Sequence, residues 1–166
     1  SGADCPGLLG HGDEVTQLNT PTRLPSMLGG ERAVSVSAGD AHTLALTAGG
    51  AVWSWGFGGD GRLGHGDQQD QLLPKKVEAL AGRRVVAVSA GSNHSIAITA
   101  DGAVFTWGQG GDGCLGHGED LSDQLLPKKV EALAGQRAVA VSAGLNHSLA
   151  LAADAVFTWG QGGCGC

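Results

Sequence analysis

The strongest constraint on this chain is that it repeats. VSAGDAHTLALTAGGAVWSWG, from Val36, returns as VSAGSNHSIAITADGAVFTWG from Val88 and as VSAGLNHSLALAADAVFTWG from Val141. His42, His94 and His147 follow one another at 52 and 53 residues, and Trp55, Trp107 and Trp159 at 52. QLLPKKVEALAG occurs letter for letter at 71–82 and 124–135. A unit of this length is one supersecondary module that cannot bury its apolar face alone, so stacking on neighbours makes the core. The 166 residues divide into a half unit over 1–31, whole units over 32–83 and 84–136, and a complementary half over 137–166, all in one domain.

Inside a unit the apolar pattern has period two, the signature of strands. Val85, Ala87 and Ser89 point one way and Val86 and Val88 the other; Ser95, Ala97 and Thr99 then alternate with Ile96 and Ile98. Asp101-Gly102 is a hairpin signal, and 103–107 returns as a strand. A weaker fourth strand is expected in KKVEAL after Pro74 and Pro127, where proline suits an outer edge. VEALAG offers one helical turn to a rival helical-solenoid reading, which three alternating strands outweigh. The 30 glycines recur at fixed places in the period and mark turns.

Three or four short strands per unit describe an all-β fold of propeller blades. About three blades fall short of the roughly 4–8 that close a ring. The expectation is therefore an open arc, with a homodimeric six-blade ring as the less favoured arrangement. One copy departs from the pattern: Asp154 is followed by Ala155 where the second copy has Asp101-Gly102, and its His-to-Trp interval is one residue shorter. This predicts a tighter or distorted turn over 153–155.

The formal net charge is −6, and the pairs Lys75-Lys76, Arg83-Arg84 and Lys128-Lys129 sit among comparable numbers of acidic residues. That balance argues against a nucleic-acid footprint. No run of 18 apolar residues and no signal-peptide pattern occurs, so the reading is intracellular, cytoplasm or nucleus, without membrane contact. Cys5, Cys114, Cys164 and Cys166 all fall in the Gly-rich loop after the repeat tryptophan and are read as free thiols. Cys164-Gly-Cys166 supplies only half a zinc site.

His42, His94 and His147 occupy one position in the unit, so three imidazoles could in principle converge on a metal. Blade-related positions lie on a ring too wide for that, and each His is read as bonding backbone within its own blade. Trp55, Trp107 and Trp159 are read as blade-packing residues. His11-Gly-Asp13, His65-Gly-Asp67 and His117-Gly-Glu119 place a carboxylate two residues after a His, and turn formation explains them better than a metal loop. No catalytic residue, cofactor site or metal site is assigned.

The order Ala-Gly-x-x-His-[Ser/Thr]-x-Ala-[Leu/Ile], a glycine turn, Val-[Phe/Trp]-[Thr/Ser]-Trp-Gly and Leu-Gly-His-Gly closely resembles the repeats of the regulator of chromosome condensation family, across essentially the whole chain. The resemblance implies a β-propeller, built in that family from seven repeats. Members include a Ran guanine-nucleotide exchange factor, a plant ultraviolet-B photoreceptor and giant ubiquitin ligases. The photoreceptor's Gly-Trp-Arg-His-Thr signature is absent: the matching pentads begin at Gly39, Gly91 and Gly144 and carry neither Trp nor Arg. The exchanger's inserted wedge is absent too, because the units keep their spacing apart from one inserted residue in 119–123.

The expected function is a non-enzymatic protein-interaction scaffold belonging to a larger protein. Asp40, Ala41, Ser92, Asn93, Leu145 and Asn146 vary beside the fixed frame and would form the partner-binding loops. The alternative is guanine-nucleotide exchange on a Ran-like small GTPase, as part of a longer chain.

Overall fold

The structure is a computed structural model and describes residues 7–24 and 28–163. Among the described residues, eleven strands form three antiparallel sheets in sequence order. The first holds β1 (Ala33–Ala38), β2 (His42–Thr47), β3 (Val52–Gly56) and β4 (Gln71–Lys76). The second holds β5 (Val85–Ala90), β6 (His94–Thr99), β7 (Val104–Gly108) and β8 (Gln124–Lys129). The third holds β9 (Ala138–Ala143), β10 (His147–Ala152) and β11 (Val156–Gly160). Each sheet is an up-and-down blade, and each packs its face on the next, β2 on β5 and β6 on β9. Among the described residues the ring does not close, so the blades form an arc.

Alternation on β2 and β6 explains how blades join. Leu44, Leu46 and Val52 leave the first blade's outgoing face and meet Ala97, Phe105 and Trp107 on the second blade's incoming face. Ile96, Ile98 and Val104 leave the second blade and meet Ala150, Phe157 and Trp159 on the third. Branched aliphatics on one face thus fill the space left by alanines between aromatic rings on the next. On β5 the simple alternation fails. A bulge leaves Val86 unpaired between Val85↔Thr99 and Ala87↔Ile98, so Val85 joins Val88 and Ala90 against the first blade while Ala87 faces the third.

The outer strand also differs from expectation. It contains Pro74 and Pro127 rather than following them, and VEAL leaves it as a 3₁₀ turn at Glu78–Leu80, repeated at Glu131–Leu133. β4 pairs through Lys75, Lys76 and Gln71 and is irregular between them. The proline lies there on an edge strand, where its missing N–H costs no ladder bond. Leu80 and Leu133 are buried beneath the blade edge and close the apolar joint.

The third hairpin is tighter, as its sequence demands. Thr99 N–H bonds the Ala103 carbonyl across a three-residue loop, and Gly102 within it has φ +84°. Ala152 N–H bonds the Ala155 carbonyl across two residues, and no residue there has positive φ. Dropping the left-handed position removes the need for glycine, and Leu151↔Val156 keeps the facing of Ile98↔Val104.

Replacement of Gly102 by Ala should therefore cost about 1–2 kcal/mol, since the site needs left-handed backbone and a Cβ would meet Arg137 Cα at 2.9 Å. Ala153→Gly should leave the urea midpoint within the range of an ordinary surface change, about 0.5 kcal/mol. Equal losses at the two hairpins would contradict this difference.

Candidate functional site

The turns between the first two strands of each blade lie side by side on one face of the arc. They carry Asp40-Ala41, Ser92-Asn93 and Leu145-Asn146. Their backbone is tied to the segment leaving the third strand: Phe57, Gln109 and Gln161 donate N–H to the carbonyls of Ala41, Asn93 and Asn146. Two side-chain bonds reinforce the frame, Asn93 Nδ2 to Gln109 Oε1 at 3.0 Å and Asn146 Nδ2 to Gln161 Oε1 at 3.1 Å. The loops thus form one face held by hydrogen bonds of the same kind in every blade.

Beneath this face runs a buried relay that crosses each joint. His42 Nε2 lies 2.8 Å from Ser95 Oγ on the next blade, and Ser95 donates its own proton to the Arg62 carbonyl at 2.8 Å. Since the hydroxyl proton is committed, His42 donates from Nε2 and is held as that tautomer. Trp107 Nε1–H donates to the same Arg62 carbonyl at 2.9 Å. The next joint repeats the arrangement with His94, Ser148, the Cys114 carbonyl and Trp159. Trp55 likewise donates to the Leu8 carbonyl at 3.1 Å.

Trp107 and Trp159 therefore pack blades, and all three indole N–H groups staple the loop of the preceding unit. The histidines depart from the sequence reading: His42 and His94 bond a serine hydroxyl on the neighbouring blade, not backbone of their own. The signal was present in the sequence, because a hydroxyl residue follows each repeat histidine as Thr43, Ser95 and Ser148. Only the tertiary packing shows that it serves the histidine of the blade before. His147, at the open end, is exposed.

The loop histidines are framework too. Ser54 Oγ donates to the Leu63 carbonyl at 2.7 Å and lies 2.9 Å from His65 Nε2, while Thr106 repeats this with Leu115 and His117. Asp67 Oδ1 accepts Gln69 N–H at 3.0 Å, the expected Asx turn; in the second loop Asp120, not Glu119, plays this part with Ser122. Among the described residues no three His, Cys, Asp or Glu cluster in a way that could hold a metal ion. Cys114 is a buried free thiol, and burial pushes its pKa up to about 11. Cys5, Cys164 and Cys166 lie outside the described residues.

One joint carries a residue that the repeat does not supply. Arg62 stands where the next loop has Cys114, and its guanidinium is almost fully buried. It donates from Nη1 to the Ser92 carbonyl at 2.9 Å, from Nε to the Gly59 carbonyl, and from Nη2 to Asp60 at 2.8 Å, and lies 4.9 Å from the Phe57 ring centroid. Asp60 takes φ +59° to meet it. Arg62 thereby clamps two loop tips together and buries Ser92, which offers the face little side-chain surface. Asp40 and Leu145 are exposed, Leu145 at 54%, and Ala41, Asn93 and Asn146 are half-buried.

Models of the regulator of chromosome condensation (RCC1) repeat match residues 2–46, 49–98 and 101–151, and a second model of that repeat matches 33–62 and 85–114. The chain belongs to the RCC1 repeat family. Among its relatives, the human E3 ubiquitin-protein ligase HERC2 is 41% identical over 93% of the chain, which spans 3% of HERC2. The ultraviolet-B receptor UVR8 of Arabidopsis thaliana is 42% identical over 93% of the chain and is spanned to 34% of its length. The chain thus covers a minor part of these relatives. Human WBSCR16 superposes with TM-score 0.73 at 30% identity over 78% of this chain and 33% of its own. Prp20p from Saccharomyces cerevisiae superposes with TM-score 0.75 at 24% identity over 96% and 39%. The incomplete RCC1-type propeller is the fold. No helix among the described residues is long and apolar enough to cross a membrane.

Burial, helped by the charges of Arg62 and His94, pushes the His42 pKa from 6.5 down to about 3, and burial with His147 nearby lowers His94 to about 4. The unfolded chain takes up these protons first. The stability of both joints is therefore complete above about pH 6.5 and is lost as pH falls toward 4 and then 3, at about 1.4 kcal/mol per pH unit for each ring. Burial also lowers His65 to about 4, which adds to the same trend. Urea midpoints should fall steadily between pH 6.5 and 5, and a flat profile would contradict neutral buried rings. Ser148→Ala, which strands the His94 N–H, should cost about 1–3 kcal/mol at pH 7.5.

Proposed function

We propose that this RCC1-repeat array is a non-catalytic protein-interaction scaffold whose partner docks on the loop face. One observation carries the reading: the frame beneath that face repeats residue for residue, while the tips above it differ from blade to blade. His42 and His94, Ser95 and Ser148, and Trp107 and Trp159 perform identical tasks in successive joints. Asp40, Ser92 and Leu145 share a backbone position and differ in charge, size and polarity, and at the next position Ala41 differs from the Asn93 and Asn146 that the later blades share. A rigid frame with divergent tips offers a distinctive surface at small entropic cost on binding. Asp40, Ala41, Asn93, Leu145 and Asn146 would touch the partner, and Ser92 would act through the Arg62 clamp.

The same reading divides the chain into the units 32–83 and 84–136 flanked by half units 1–31 and 137–166, within a longer intracellular protein of cytoplasm or nucleus. A two-chain six-blade ring is the alternative assembly, and light scattering decides it: a monomer mass at micromolar concentration rules the ring out.

Leu145→Asp and Asp40→Lys should each weaken partner capture by about tenfold or more, as expected for exposed contact residues, while leaving the urea midpoint unchanged. Retained capture by both variants would remove the loop face from consideration. Release of labelled nucleotide from a Ran-like GTPase should stay at its spontaneous rate with this chain present. Acceleration would replace the scaffold reading with guanine-nucleotide exchange.

A further inference from the structure

On the face opposite the loops, one concave site breaks the repeat. A cavity of about 340 Å³ opens between the first and second blades, where the β2–β3 turn meets the connection after the 3₁₀ turn. Lys76, Arg83 and Arg84 line it, with Glu31 at one side. The Arg83 guanidinium lies 5.0 Å from the centroid of the Phe105 ring, which orients it. The Arg84 stem lies so near Gly50 that a Cβ there would meet its Cγ at 2.9 Å. Among the described residues none of these three cations belongs to an ion pair.

The next joint provides an internal comparison. Its equivalent hollow, about 190 Å³, is lined by Lys129, Gln136 and Arg137. Gln136 stands at the place of Arg83, and Lys129 lies 3.8 Å from Glu131. One cation is missing and another is engaged, although backbone and fold role are the same. Positive charge at the first joint is therefore not a requirement of the blade.

The carboxylates beside the cavity bear on the class of anion that fits it. Glu31 Oε2 receives the Gly49 N–H at 3.3 Å, so a carboxylate already sits against its wall. Glu31 lines the cavity beside the cations and Asp101 lines the adjoining hollow with Arg83 and Arg84, carboxylates that would repel a continuous polyanion such as nucleic acid. Separate carboxylates along a flexible peptide can meet the cations one at a time.

We propose that the Lys76–Arg83–Arg84 cavity docks an acidic peptide segment, giving the arc a second binding surface independent of the loop face. Fluorescence polarisation of fluorescein-labelled hexaglutamate with the intact chain tests it. Saturable binding that weakens with added salt is expected, with a loss of about tenfold or more in K76Q/R83Q. Glu31→Lys should tighten binding, a gain that an unfolded variant cannot imitate, and Leu145→Asp should leave it unchanged. Absence of saturable binding, equal affinity in K76Q/R83Q, or tighter binding of a single-stranded oligonucleotide of equal charge would overturn the proposal.

Discussion

Each blade is joined to the next by a buried chain of hydrogen bonds: His42 to Ser95, Ser95 to the Arg62 carbonyl, and Trp107 to that same carbonyl. The rest of the structure depends on this arrangement because it fixes three things together. It orients β2 against β6, it anchors the loop that leaves the first blade upon the second, and it satisfies polar groups that burial would otherwise leave costly. The apolar packing of Leu44 and Leu46 on Ala97 and Phe105 supplies area. The relay supplies register, since a serine one residue out of place would face the opposite side of its strand.

The joint is directional. A branched aliphatic face leaves each blade and an alanine and aromatic face receives it, so contacts run head to tail and do not satisfy themselves. At the third blade the outgoing face has no successor among the described residues. Leu151 and Val156 are exposed there, whereas their counterparts Ile98 and Val104 are buried. The inner strands show the same polarity: Ala90 N–H bonds Ser37 Oγ at 3.0 Å, and Ala143 N–H bonds Ser89 Oγ at 2.9 Å, always from later blade to earlier.

The residues proposed to meet partners lie outside this joint. The recurring His, Ser and Trp residues serve the joint, which leaves departures from the repeat to distinguish one blade from the next. Arg62 and Arg83 are two such departures, on opposite faces. Arg62 is buried and stiffens the loop face by holding Ser92 to Asp60. Arg83 lies open on the Phe105 ring and gives the other face its charge. The same first joint thus differs from the second at both of its ends.

The sequence by itself determined the unit, its three inner strands, the packing role of Trp107 and Trp159, and the shortened turn at 153–155, because period, alternation and glycine placement are local properties of a chain. It misplaced the partner of His42 and His94, the facing of Val85 and the position of Pro74 within its strand. Each of those depends on a neighbour the local pattern does not contain: a serine 53 or 54 residues away, a bulge at Val86, and an edge with no further strand to pair. The burial of Ser92 and the grouping of Lys76 with Arg83 and Arg84 were likewise decided only by tertiary structure. Repetition identifies what each blade shares, whereas contacts between blades decide which side chains are left to meet a partner.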